Sequence, residues 1–256
     1  MDLIRFKEDD LPLKDLETIG LALNGQLLLT AEDKQALLTG RRTGLMQLRD
    51  LEAENIKIRS LDAKLSLQQH ASGASLLIHP VYKRAVAPGL LNEEQIEALR
   101  SGKVANVLIE RSTTEGQRSS LLVEYDPETR EFISSDTDRI LAPDMVNNEF
   151  LTAAQKEVYR KGKEVKLADQ TSFAYTGVDT QGMRSDKIAL IASILIDGGM
   201  SYMLYMGLNA LFGQKHDKTT SEQLSPGYHA ALNDAEQQTP ANEQASHAYN
   251  RGLFTR

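Results

Sequence analysis

One short block recurs three times along this 256-residue chain, at residues 29–40, 91–102 and 151–162. Each copy opens on a leucine (Leu29, Leu91, Leu151) and closes 11 residues later on a glycine (Gly40, Gly102, Gly162). The leading leucine recurs after 62 and then 60 residues. Self-similarity at a fixed period is the mark of an internally duplicated supersecondary unit. Such units bury their apolar faces against one another, so the repeat predicts contact surface rather than a catalytic pocket. A deep cleft in which distant polar groups converge would run against that expectation.

Each block reads as a short capped helix. Thr30, Asn92 and Thr152 stand at the N-cap, where a side-chain oxygen accepts from the free amides of the first turn. Asp33, Gln95 and Gln155 follow three residues on, where a capping box places its return partner, with Asp the weakest of the three. The closing glycines suit the left-handed residue that ends a helix. A basic residue follows each of them (Arg41, Lys103, Lys163) and favours the negative end of the helix dipole.

Strand-type sequence follows every helix. In the second copy Val104 to Ile109 reads as a strand. Ser119 to Tyr125 and Glu131 to Ser134 then flank the turn Asp126-Pro127-Glu128-Thr129-Arg130. In the first copy Leu65-Ser66-Leu67 and Leu76-Leu77-Ile78 flank Ala71-Ser72-Gly73. The third copy alternates over Glu164-Val165-Lys166-Leu167, continues over Phe173 to Val178 and turns near Gly182. The predicted class is α+β: two to three tandem αβββ units, then an apolar segment and a disordered polar tail. A unit of about 50–60 residues buries too little surface to be stable alone, which again favours packing between copies. The predicted division is 1–88, 89–149 and 150–187 for the units, 188–213 for the apolar segment and 214–256 for a flexible tail. Within that tail, residues 225–232 read as a short helix or a docking segment.

Charge is distributed unevenly. The formal net charge is −7, yet residues 41–84 hold eight basic and four acidic side chains. Residues 92–150 hold thirteen acidic and six basic ones. A basic face of Arg41, Arg42, Arg49, Lys57 and Arg59 would suit nucleic acid or an acidic partner. A mixed solvated surface is the plainer reading, because no aromatic residues interleave the cations and no nucleic-acid motif is present.

Residues 188–213 contain a single charge, Asp197. As a helix they would extend about 39 Å at ~1.5 Å per residue, enough to cross a bilayer core of ~30 Å. The near-central acid, costing ~2.5–3.5 kcal/mol, offsets much of the apolar gain. Two expectations follow: a buried helix, whole or broken at Asp197-Gly198-Gly199 into two helices or a strand and a helix, or a membrane helix over 188–212. Asp197 is the ionisable group most exposed to desolvation and hence a candidate functional acid.

Little else suggests chemistry. The absence of cysteine removes disulfides and thiolate nucleophiles and fits a reducing cytoplasm. The five histidines show no HExxH pair or metal spacing, and no phosphate-binding or nucleophile-elbow motif occurs. His79 reads as a structural histidine at a strand end. The sequence therefore predicts no catalytic residue, no cofactor, no metal and no small-molecule substrate. The resulting expectation is a non-enzymatic, cytoplasmic or membrane-associated protein.

A family resemblance adds context. Leu11-Pro12-Leu13-Lys14-Asp15-Leu16-Glu17, Leu38-Thr39-Gly40-Arg41-Arg42-Thr43, and Ala63-Lys64-Leu65-Ser66-Leu67 with Ile78-His79-Pro80 resemble the domain-of-unknown-function family numbered 4099. Residues 91–136, and more loosely 151–184, are similar to family 3945, with its Leu-x-x-x-Gln and Gly-Lys pattern before a hairpin. The resemblance implies a Bacteroidota protein of a mobile genetic element, encoded near topoisomerase and transfer genes. It implies no activity and no catalytic residues. The expected role is an adaptor that docks another protein. A nucleic-acid accessory protein using residues 41–84 and a membrane-tethered adaptor remain as alternatives.

Overall fold

The computed structural model describes residues 6–53, 56–71, 73–112, 118–187, 189–196, 199–206, 225, 227–228 and 230–233. The first unit begins with helix α1 (Leu13–Thr18) and a small hairpin, β1 (Ala22–Leu23) and β2 (Gln26–Leu27). Helix α2 (Ala31–Leu38) leads into an antiparallel sheet of β3 (Met46–Ala53), β4 (Ile56–His70) and β5 (Gly73–Pro80). The second unit repeats the order with α3 (Glu93–Arg100), β6 (Asn106–Ser112), β7 (Arg118–Asp126) and β8 (Glu131–Asp136). The third is preceded by the hairpin β9 (Met145–Val146) and β10 (Glu149–Phe150). It then runs α4 (Ala153–Arg160), β11 (Val165–Lys166), β12 (Ser172–Tyr175) and β13 (Met183–Ser185). Helix followed by a three-stranded meander thus occurs three times.

The helices are built alike. Thr30, Asn92 and Thr152 each accept from the amide three residues on, at 3.0, 2.8 and 3.2 Å. Gln95 and Gln155 return the bond to the cap amide at 3.0 and 2.9 Å. Asp33 does not. It is one methylene shorter, and its carboxylate accepts instead from Gly44 N and Thr30 Oγ1. Gly40, Gly102 and Gly162 have φ of +73, +71 and +65°. The residue eight after each leading leucine (Leu37, Leu99, Tyr159) is buried and ties its helix to the sheet that follows. Eight-residue helices are marginal in isolation, so these caps, at about 1 kcal/mol each, and the buried anchor hold them.

The sheets share cores as well as building them. Phe6, Leu16, Leu37, Leu48, Ala63 and Leu65 fill the first unit. In the second, Val123 packs with Leu91 and Leu99 beneath α3. Its neighbour Leu122 points to the opposite face and joins the core of Tyr159, Phe173, Met183 and Leu190. The middle sheet is therefore covered on both sides.

The apolar segment differs from expectation. Residues 189–196 and 199–206 are not helical: they form the antiparallel pair β14 (Ala189–Ile196) and β15 (Gly199–Met206), and β14 also pairs with β9. Asp197 lies outside the described residues. Among those residues no helix is long and apolar enough to cross a membrane. The physical reason is burial on two sides. Leu190 and Ala192 enter the core shared with α4, while Ala189 and Ile191 pack on Tyr228 and Ala231. A strand covered on both faces loses the alternating pattern and reads as one apolar run.

Tyr228 and Ala231 belong to the stretch read as tail, most of which lies outside the described residues. Gly227, Tyr228 and residues 230–233 are helical, in line with the short-helix alternative for this stretch. Ser225 anchors them by accepting from Asn147 Nδ2 at 3.0 Å. Asn147, at φ +46° in the β9–β10 turn, also donates to Thr171 and accepts from Ile191 N. Burial pushes the nearby Asp169 carboxyl up. Hydrogen bonds from Ser225, Thr171 and Asn147 outweigh that and hold it below the usual range.

The glycines that close the helices differ in their surroundings, and this is testable. A Cβ on Gly162 would sit 2.7–2.8 Å from Asn106 and Leu122, whereas on Gly102 it would meet nothing within 4 Å. Gly102→Ala should cost about 1–2 kcal/mol, the penalty of a left-handed alanine. Gly162→Ala should cost about 2–4 kcal/mol because overpacking adds to it. Urea midpoints of the two variants check the order.

Candidate functional site

The groups with chemical character gather where the three units meet. Strand β4 turns Ala63, Leu65 and Leu67 into the first core, so Lys64 and Ser66 face the other way. His79, cross-strand from Lys64, shares that face. On β7 and β8, Glu124, Asp126 and Glu131 share the face of Leu122. These two faces are apposed.

Lys64 is 2% exposed, and its ammonium meets Asp126 Oδ2 and Glu128 Oε2, both at 2.8 Å. It also donates to Val178 O at 3.1 Å. Asp126 is fully buried, and its other oxygen accepts from the amides of Glu128 and Thr129. Arg42 pairs with Glu131 at 2.6 Å. His79 donates to or accepts from Ser66 Oγ at 2.8 Å and lies 3.7 Å from Glu131. Burial, then the Arg42 charge, holds the His79 imidazole below its ordinary value, although Glu131 opposes them.

Loop 176–182, between β12 and β13, binds both other units. Gly177 N donates to Glu124 Oε2 at 2.6 Å, and Val178 O receives Lys64. Thr180 Oγ1 donates to Glu32, and Gln181 O accepts from Arg41 Nη1 at 2.9 Å. Gly182 lies at φ +71°, and a Cβ there would overlap the Arg41 side chain. The Arg184 guanidinium stands 4.0 Å from Glu124. Burial pushes the Glu124 carboxyl up, against the pull of Arg184 and the Gly177 amide. Burial also pulls Arg184 down from its ordinary value, opposed by Glu124 and Asp179.

Beside this seam lies a cleft of about 480 Å³. Arg41, Arg42, Ser66 and His79 from the first unit line it. Arg111, Ser135, Asp136 and Arg139 come from the second, and Tyr159, Tyr175 and Ile194 from beyond it. Polar groups far apart in sequence therefore do converge, contrary to the expectation of contact surface alone.

The basic residues singled out by sequence divide into two sets. Arg41 and Arg42 turn inward to this junction. Arg49, Lys57 and Arg59 are exposed on the ribbon formed by β3 and the first half of β4. The structure thus joins only the first two. Lys64, Glu124, Asp126, Glu131 and Arg184 were not singled out. The uneven charge of the two segments was their signal, because cations of the first unit meet anions of the second.

The fold and this junction define an α+β repeat protein whose units are joined through buried charge. Residues 6–87 match the model of a family described as a protein of unknown function, DUF4099. No curated protein and no solved structure matches the chain.

Two predictions follow from the buried charges. Lys64→Met leaves Asp126 buried and uncompensated and should cost about 3–5 kcal/mol. Adding Asp126→Asn should recover most of that loss in equilibrium unfolding. For Glu124, a folded-state value raised above the ordinary 4.5 means a contribution that is complete at acid pH and fades as pH rises through the raised value. Glu124→Gln keeps an acceptor for Gly177 without the charge. The wild type should therefore lose stability relative to this variant as pH rises from about 4.5, read from urea midpoints across pH.

Proposed function

We propose that this chain is a non-enzymatic interaction module of a mobile genetic element that docks another protein, with residues 89–187 carrying two units of the family 3945 type. The observation that supports it is the β3–β4 ribbon. Residues 56–61 of β4 pair with β3 alone, since the ladder to β5 starts at Ala63 and Val81 N bonds Asp62 O. A two-stranded arm therefore reaches past the sheet, with Gln47, Arg49, Asp50, Glu52, Lys57 and Arg59 exposed.

The charge of that arm favours a protein over a polyanion. Phosphate backbones reward a net positive surface. Here Arg49, Lys57 and Arg59 alternate with Asp50, Glu52 and Asp62, and Lys57 pairs with Glu52 across the strands. Exposed pairs of this kind add little stability, so they are free to exchange for a partner's charges. Mixed charge sets orientation and excludes wrong partners more than it adds affinity. β14 is covered by protein on both faces, which leaves it no lipid-facing side.

Cross-linked capture from the native host with the full chain tests this reading. Wild type should recover a defined protein that the Arg49→Glu/Arg59→Glu variant loses. Recovery of no specific protein, or capture abolished by nuclease treatment, would overturn it.

A further inference from the structure

The geometry points to a second site, distinct from the ribbon: the cleft between the units binds a small organic anion, a carboxylate or phosphate carried on an apolar body. Four guanidinium groups line it, from Arg41, Arg42, Arg111 and Arg139. The facing carboxylates are Asp136 on the wall and Glu131 behind Arg42. Arg42 is neutralised by Glu131 at 2.6 Å, but Asp136 stands 3.9 Å from Arg139, beyond hydrogen-bond reach. The Arg139 side chain is 70% exposed, and Arg111 donates through Nε to Ser119 Oγ at 3.0 Å.

Arg41 is the most telling of the four. Its Nη1 bonds Gln181 O, while its buried Nε has no hydrogen-bond partner. A buried donor left unsatisfied costs about 1–3 kcal/mol, so the junction holds this side chain at the cleft at a cost.

The remaining wall determines what carries the anion. Leu121, Ile133, Ile140, Leu141, Pro143 and Ile194 supply an apolar surface. Tyr175 and Ser135 also line the cleft, their hydroxyls bonded to each other at 3.4 Å. A concavity of this size in which convergent polar groups stand beside an apolar strip of wall can take a small molecule with one charged end. Bare inorganic phosphate would use the arginines and leave that wall empty.

The test is a titration of the full chain with benzoate, adenosine monophosphate and inorganic phosphate, read from the methyl resonances of Ile133, Leu141 and Ile194. At least one organic anion should shift these signals saturably, with inorganic phosphate about tenfold weaker or more. Which organic anion binds more tightly separates carboxylate from phosphate recognition. Arg41→Gln and Arg139→Gln should each weaken binding about tenfold, and Arg49→Gln on the ribbon should change nothing. Arg139 is solvent-exposed, so its variant stays informative if Arg41→Gln disturbs the junction. Three results overturn the assignment: no saturable shift with any probe, binding unchanged in both cleft variants, or neutral benzamide binding as tightly as benzoate. None of these depends on whether the ribbon docks a protein.

Discussion

Lys64 carries a positive charge into the interior of the molecule, 2% exposed and between two carboxylates of another unit. Taking an ammonium and a carboxylate out of water costs several kcal/mol per ion, and their mutual attraction does little more than repay that. The pair is therefore poor evidence for net stability. Its effect is on specificity, since any packing that misplaces the sheets leaves a charge buried alone, at a cost that a domain of marginal stability cannot absorb. The positions of the first and second units are thus fixed by penalty as much as by attraction.

The other contacts extend the same logic. Glu124 and Asp126 lie two residues apart on one strand and therefore on one face, one turned to the third unit and the other to the first. Loop 176–182 completes the junction by giving amides and carbonyls to both neighbours, so its backbone is satisfied only in the assembled state. The cleft is a by-product of this arrangement. Its cations belong to two packed units and part of its wall to the third, so a separated unit would hold no more than a fragment of it.

Much of the scaffold was legible because it is local. An N-cap, its partner three residues on and a closing glycine are decided within one short stretch, and all three helices follow that pattern. Asp33 failed to complete its box for an equally local reason, the reach of its side chain. The hairpin around Asp126 to Arg130 was visible from its turn residues, with Arg130 supplying the positive φ of +59°. What stayed hidden was set by packing. The run over 188–213 suggested one helix, two helices or a strand and a helix, because the strand that is covered twice shows no alternation. Lys64 was not singled out, since nothing nearby in sequence shows that Asp126 lies opposite. The charge imbalance between residues 41–84 and 92–150 was correctly noticed, but the acidic partner of Arg42 and Lys64 is in the same chain.

Native-state hydrogen exchange on the helix amides of α2, α3 and α4 tests the central claim, that buried charge joins the units into one cooperative body, most directly. As denaturant is raised, the most protected amides of all three helices should converge on a single opening free energy. Amides of α2 that keep opening with a separate and lower free energy, while those of α3 and α4 remain protected, would contradict the account.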